Sequence, residues 1–272
     1  MNRAASATRA RSPWGWMSVG LLLGAALSVL AFAPAHWLAA ALERASAGRV
    51  QLLDARGTVW NGSALLTLTG GAGSVDRSSL PGRMAWQLAL DMAEAGASGW
   101  PQPALSIRAP CCTSKPLDFR LAPGWGGVQV SLAGADLRLP AAWLNGLGTP
   151  FNTLQLGGTL ALSTPGLQMD VVAGRVRVQG EAELIVANAV SSLSTLKPLG
   201  TYRLQMFGGD TPRLSLRTMD GALRLQGDGQ IVGARLRFDG VASAAPSFED
   251  ALGNLLNIIG RRDGARSIIS MS

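Results

Sequence analysis

From Met84 to Phe238 the chain repeatedly alternates apolar and polar residues with a period of two. In "RMAWQLAL" (83–90), Met84, Trp86, Leu88 and Leu90 share one face. In "GRVRVQGEAELIV" (174–186), Val176 and Val178 point one way and Arg175, Arg177 and Gln179 the other. "TYRLQM", "PRLSLRT", "GALRLQGDG" and "ARLRFDG" repeat the theme at intervals of roughly 10–12 residues. Successive side chains leave opposite faces of a strand, so this period suits a strand and would scatter apolar groups around a helix. One apolar and one polar face call for an antiparallel sheet with one solvated side. The arginines fall on the wet face, where they are solvated or pair across strands with Asp and Glu.

Turn residues punctuate the strands. "VQLLDARGTVW" runs into Asn61-Gly62 and "SALLTL" follows, the pattern of a hairpin with its turn at Asn-Gly. Gly158, Gly200 and Gly221 precede later strands and Gly240 closes one. The spacing is too loose for a propeller or solenoid and predicts a serial meander of hairpins. Short helices are expected over 34–48, 139–148 and 188–200, and a clearer one near the C-terminus in "SFEDALGNLLNIIGRR". There Ser247 can cap, Glu249 and Asp250 suit the positive end, and Arg261 and Arg262 the negative end. Leu252, Leu255, Leu256 and Ile259 form a stripe at helical spacing, which fits packing on the sheet, docking of a partner or resting on the membrane.

Residues 14–33, "WGWMSVGLLLGAALSVLAFA", carry no charge. Twenty residues at about 1.5 Å each cover a hydrocarbon core of about 30 Å. Trp14, Trp16 and Trp37 stand near its ends, where amphipathic rings favour the interface. Arg3, Arg9 and Arg11 precede the segment without an acid, so the positive-inside rule keeps 1–13 in the cytoplasm. The alternative is a cleaved signal peptide with Ala33-Pro34-Ala35 as its small-residue site, although the run exceeds the usual apolar region of about 7–15 residues. Either way the body is exported. The expected organisation is a cytoplasmic tail (1–13), a single inner-membrane span (14–33), a membrane-proximal helix (34–48) and a periplasmic β-rich domain (49–272).

Residues that carry chemistry are sparse. Cys111 and Cys112 are the two cysteines and are adjacent, leaving a strained eight-membered ring, two free thiols or bridges to another chain; a catalytic redox pair more usually has C-x-x-C spacing. His36 is the single histidine, too little for a metal site or a serine–histidine pair in the body. "GGAGSVDRSS" lacks the ending of a phosphate-binding loop, and Asp91 and Glu94 read as solvated. The chain is basic, at +7, yet no basic run exceeds Arg261-Arg262, so the clustered footprint of a nucleic-acid interface is missing. No cofactor and no catalysis are expected.

Six segments in fixed order carry a family resemblance: "GTVWNGSALL" (57–66), "LPGRMAWQL" (80–88), "LQLGGTLAL" (154–162), "LKPLGTYRLQM" (196–206), "GALRLQGDGQ" (221–230) and "LLNIIGRRDG" (255–264). With the N-terminal apolar segment, they resemble protein N of the bacterial type II (general) secretion pathway. The resemblance implies a bitopic inner-membrane protein of a Gram-negative bacterium. Its periplasmic β-domain would be an accessory, non-enzymatic part of the machine that moves folded proteins through an outer-membrane channel. The implied partners are the inner-membrane platform and the outer-membrane channel. Trp60, Asn61 and Gly62 at the first hairpin, and Leu252, Leu255, Leu256 and Ile259 on the last helix, are the candidate contact residues; Cys111 and Cys112 are a candidate redox pair. The chain is also distantly similar in style to AsmA-like proteins, whose long curved sheets present an apolar groove. That likeness implies lipid handling as the alternative function, with Met84, Trp86, Leu88, Val176, Val178, Leu204, Met206, Leu236 and Phe238 lining the groove.

Overall fold

A computed structural model describes residues 14–91, 102–124, 127–149, 151–172, 175–232 and 235–271. The expected tail 1–13 with its arginines, and Glu94, lie outside the described residues, as do the side chains of Trp14, Trp16, Asp91 and Val176.

Two helices come first, α1 (Trp14–Ala31) and α2 (Ala35–Ala45). The strands follow: β1 (Val50–Gly57), β2 (Asn61–Thr69), β3 (Arg77–Ser79), β4 (Met84–Asp91), β5 (Gln102–Arg108), β6 (Leu117–Gly124), β7 (Gly127–Pro140), β8 (Gly157–Val172), β9 (Arg175–Val190), β10 (Gly200–Gly209), β11 (Arg213–Gly221), β12 (Leu223–Val232) and β13 (Arg235–Ala244). A 3-10 helix (Ala141–Leu147) and the short α3 (Phe151–Leu154) join β7 to β8. Helix α4 (Glu249–Ile259) leads into β14 (Arg261–Asp263) and β15 (Arg266–Met271).

Among the described residues all fifteen strands belong to one antiparallel sheet in the order β1-β2-β4-β5-β6-β7-β8-β9-β10-β11-β12-β13-β15-β14, with β3 beside β2. This is the meander that the alternation predicts, because each strand buries its apolar face best beside its sequence neighbour. Long strands keep that face through register shifts. Leu160 and Leu162 on β8 are followed, past a shift between Ser163 and Gly166, by Leu167 and Met169. Thr164 fills the bulge, its hydroxyl donating to Glu181 O at 2.6 Å.

Packing is concentrated at the connections of one end of the strands. Leu252, Leu255 and Leu256 of α4 are buried with Tyr202, Leu223 and Ala242. The Tyr202 hydroxyl donates to Leu223 O at 3.0 Å, and burial pushes its phenol well above the usual range. Leu80, Ala109 and Cys112 pack against Leu139 of β7 and Trp143 of the 3-10 helix. Helix α2 lays Leu38, Ala39 and Leu42 on Leu52, Ala64 and Trp86.

Three local expectations are corrected. Residues 188–200 form no helix: β9 runs to Val190, and Ser191 and Ser194 then turn the chain by accepting from Leu193 N and Leu196 N, bonds that compete with helical ones. Ser247 does not cap α4; it adopts φ 75°, and Phe248 occupies the cap position without a side-chain bond. Arg261 and Arg262 lie in β14 rather than in the last turn of α4. Within the apolar segment 14–33 the helix covers Trp14–Ala31; among the described residues no helix is long and apolar enough to cross a membrane, and the expected span is not tested by this.

Candidate functional site

The most elaborate junction lies where α1 ends. Three residues, Thr58 to Trp60, connect β1 to β2, so the turn falls before Asn61-Gly62 rather than at it. Thr58 N–H donates to Asn61 O at 2.9 Å, and Asn61 N–H donates to the Thr58 hydroxyl at 3.1 Å. Gly62 already lies in β2, paired with Gly57 on one side and Trp86 on the other. It must be glycine for close approach: a Cβ there would sit 2.4 Å from Trp86 Cζ2 and 2.7 Å from Arg56 O. The Trp86 indole fills that space and donates from Nε1 to Val59 O at 3.0 Å.

The loop is thereby held out toward the helices. Trp60 Nε1 donates to Leu30 O in the last turn of α1 at 2.8 Å, and Val59 N–H donates to Ala33 O at 2.8 Å. Pro34 bridges to Thr58, and the neighbouring Ala33 and Ala35 are buried. The first orphan carbonyls after a helix usually face water; here a β-hairpin supplies their donors. Two bonds pin helix to sheet, and the one from Trp60 to Leu30 joins residues thirty apart in sequence. A second brace steadies the hairpin. Arg83 donates to Asp54 Oδ2 at 2.7 Å, to Asp54 O at 2.7 Å and to Ser63 O at 3.0 Å. The Asp54 carboxyl is held below its usual range, first by the Arg56 guanidinium and then by that of Arg83.

The other sequence candidates fall elsewhere. Leu252, Leu255 and Leu256 are core residues, and Ile259 is partly buried against them. The outer face of α4 instead exposes Phe248 and Ile258, the latter at 50%. Cys111 and Cys112 are joined in a disulfide. Their turn is fastened by Thr113, whose hydroxyl donates to Ala109 O at 3.0 Å, and by Arg138 N–H, which donates to Cys112 O at 2.8 Å. His36 meets the Trp37 ring edge-on at 6.4 Å. Among the described residues no group of three or more His, Cys, Asp or Glu could hold a metal ion.

The sheet also carries an apolar trough, lined mostly by residues other than those expected along a groove. Phe119, Val130, Leu132, Leu167, Met169, Val178, Met206, Pro212 and Ile231 line a trough of about 410 Å³ with Gln168 as the polar member. Met206 shares its face with Tyr202 by strand alternation, so the trough continues the apolar face beyond the helices. Of the residues expected along a groove, Val178 and Met206 line this trough. Trp86 is core under α2, and Phe238 is buried over Gly227, Gly229 and Gly240.

No curated protein and no solved structure matches the chain. A family model, type II secretion system (T2SS), protein N, matches residues 48–269, beginning just after α2 and ending within β15. That span takes in the hairpin, Trp60, Trp86 and the sheet as far as Ile269, and the chain belongs to the protein N family of the type II secretion system.

Proposed function

We propose that this component of the secretion system is a structural subunit without catalytic activity, anchored in the inner membrane by α1, with its sheet in the periplasm. The observation that carries this reading is the pinning of the β1–β2 loop to the end of α1, which fixes the sheet to the helix. Helix α1 itself supports an anchor. Leu21, Leu22, Leu23, Leu27, Val29 and Leu30 stand around its circumference and are all exposed, and a helix apolar all round needs a lipid or protein cover. The described part of α1 rises about 27 Å, against a hydrocarbon core of about 30 Å. Contacts with the other subunits are assigned to the outer face of α4, where Phe248 and Ile258 are exposed, while Trp60 and Gly62 serve the junction. Deleting the gene tests the proposal: secretion of folded substrates should fail or the levels of partner subunits should fall. Unchanged secretion with unchanged partner levels would remove its support.

The trough favours a second reading, lipid handling along an AsmA-like groove. Its volume and nearly all-apolar lining match those of small-ligand sites. Native mass spectrometry of the full chain should retain a lipid adduct that Met206→Asp abolishes; a bare chain would exclude this reading.

A further inference from the structure

We infer that the β1–β2 loop is itself a membrane contact: Trp60 joins Phe32 and Trp37 in an aromatic foot that rests in the lipid interface. The inference rests on reading α1 as the anchor. Trp60 lies far from the apolar segment in sequence, and the fold brings it back. Its indole N–H reaches Leu30 O at 2.8 Å, so the ring lies beside the last turn of α1. Just beyond that turn, Phe32 is 74% exposed and Trp37 50% exposed. Neither ring covers the sheet, because α2 packs through Leu38, Ala39 and Leu42.

The chemistry fits lipid better than a protein partner. The Trp37 indole, with an apolar body and one N–H, favours the headgroup level, and the Trp60 ring, whose N–H is held by Leu30 O, adds its apolar body beside it. The buried backbone around them already has its partners, with Ala33 O taken by Val59 and Leu30 O by Trp60, so the loop offers little main chain for a peptide to bind. Two contacts on separate segments would stop the sheet swivelling about α1 and set its angle to the bilayer.

The test uses the full-length chain in vesicles of phosphatidylethanolamine and phosphatidylglycerol, with bromine placed either just below the headgroups or near the acyl-chain ends. The fluorescence lost in Trp60→Phe and in Trp37→Phe isolates each ring. Both difference signals should be quenched strongly by the shallow bromines and weakly by the deep ones. If neither set quenches them while the chain resists alkaline extraction from the vesicles, the loop stands clear of the bilayer and the inference falls with the anchor intact. If the chain is extracted, the anchor reading fails, and the inference with it.

Discussion

Residue by residue, the junction depends on a few groups without substitutes. Gly62→Ala would drive a methyl into Trp86 and the Arg56 carbonyl, an overpacking that should cost about 1–3 kcal/mol, read as a lowered thermal midpoint of the full chain in detergent. Trp60→Phe keeps the ring and removes the donor to Leu30 O; a hydrogen bond of this kind contributes about 0.5–1.5 kcal/mol. That loss should appear as faster amide exchange at Val59 and Trp60, with little change in the distant strands. Asp54 gives the junction a pH dependence. Its folded-state pKa lies below the unfolded value of about 3.9. The bracing by Arg56 and Arg83 is therefore fully present above that value and is lost as pH falls through the folded one. In thermal melts, the gap between the parent and Asp54→Asn should close as pH drops through the carboxylate range.

The elements differ in how openly the sequence announced them. The meander was legible because period-two alternation is a direct image of strand geometry, and α4 was legible because Leu252, Leu255 and Leu256 recur at helical spacing. The Asn61-Gly62 turn was misplaced, since Gly62 answers to Trp86 across the sheet and nothing local reveals that. Strand β15 escaped notice because "SIISM" is short and its pairing with β13 forms across the intervening α4. Ser191 and Ser194 likewise look helical until Leu154 O is seen to accept from the Ser191 hydroxyl. The two faces of α4 invite contrasting substitutions. Leu256→Ala opens the core and should cost about 2–5 kcal/mol, whereas Ile258→Ser on the exposed face should stay within about 0.5 kcal/mol. Chemical denaturation of the two variants separates core from contact surface.

Across the whole molecule, cover is uneven. Helices and long connections lie over one part of the apolar face, and the trough of β6 to β12 is left open. Local opening is easiest where few apolar contacts hold a strand. Amides of β10, β12 and β13 near α4 should therefore exchange slowest, and those lining the trough on β7 and β8 faster, in native-state hydrogen exchange. A sheet fixed to an apolar helix at one edge and carrying an exposed α4 face is suited to holding other parts of a machine in place. The most direct measurement is in-cell photo-crosslinking from Phe248 and Ile258, with the adducts identified by mass spectrometry. The expected result is crosslinks to other subunits of the type II secretion system. Crosslinks to lipid alone, or to no subunit of the machine, would contradict a structural role there.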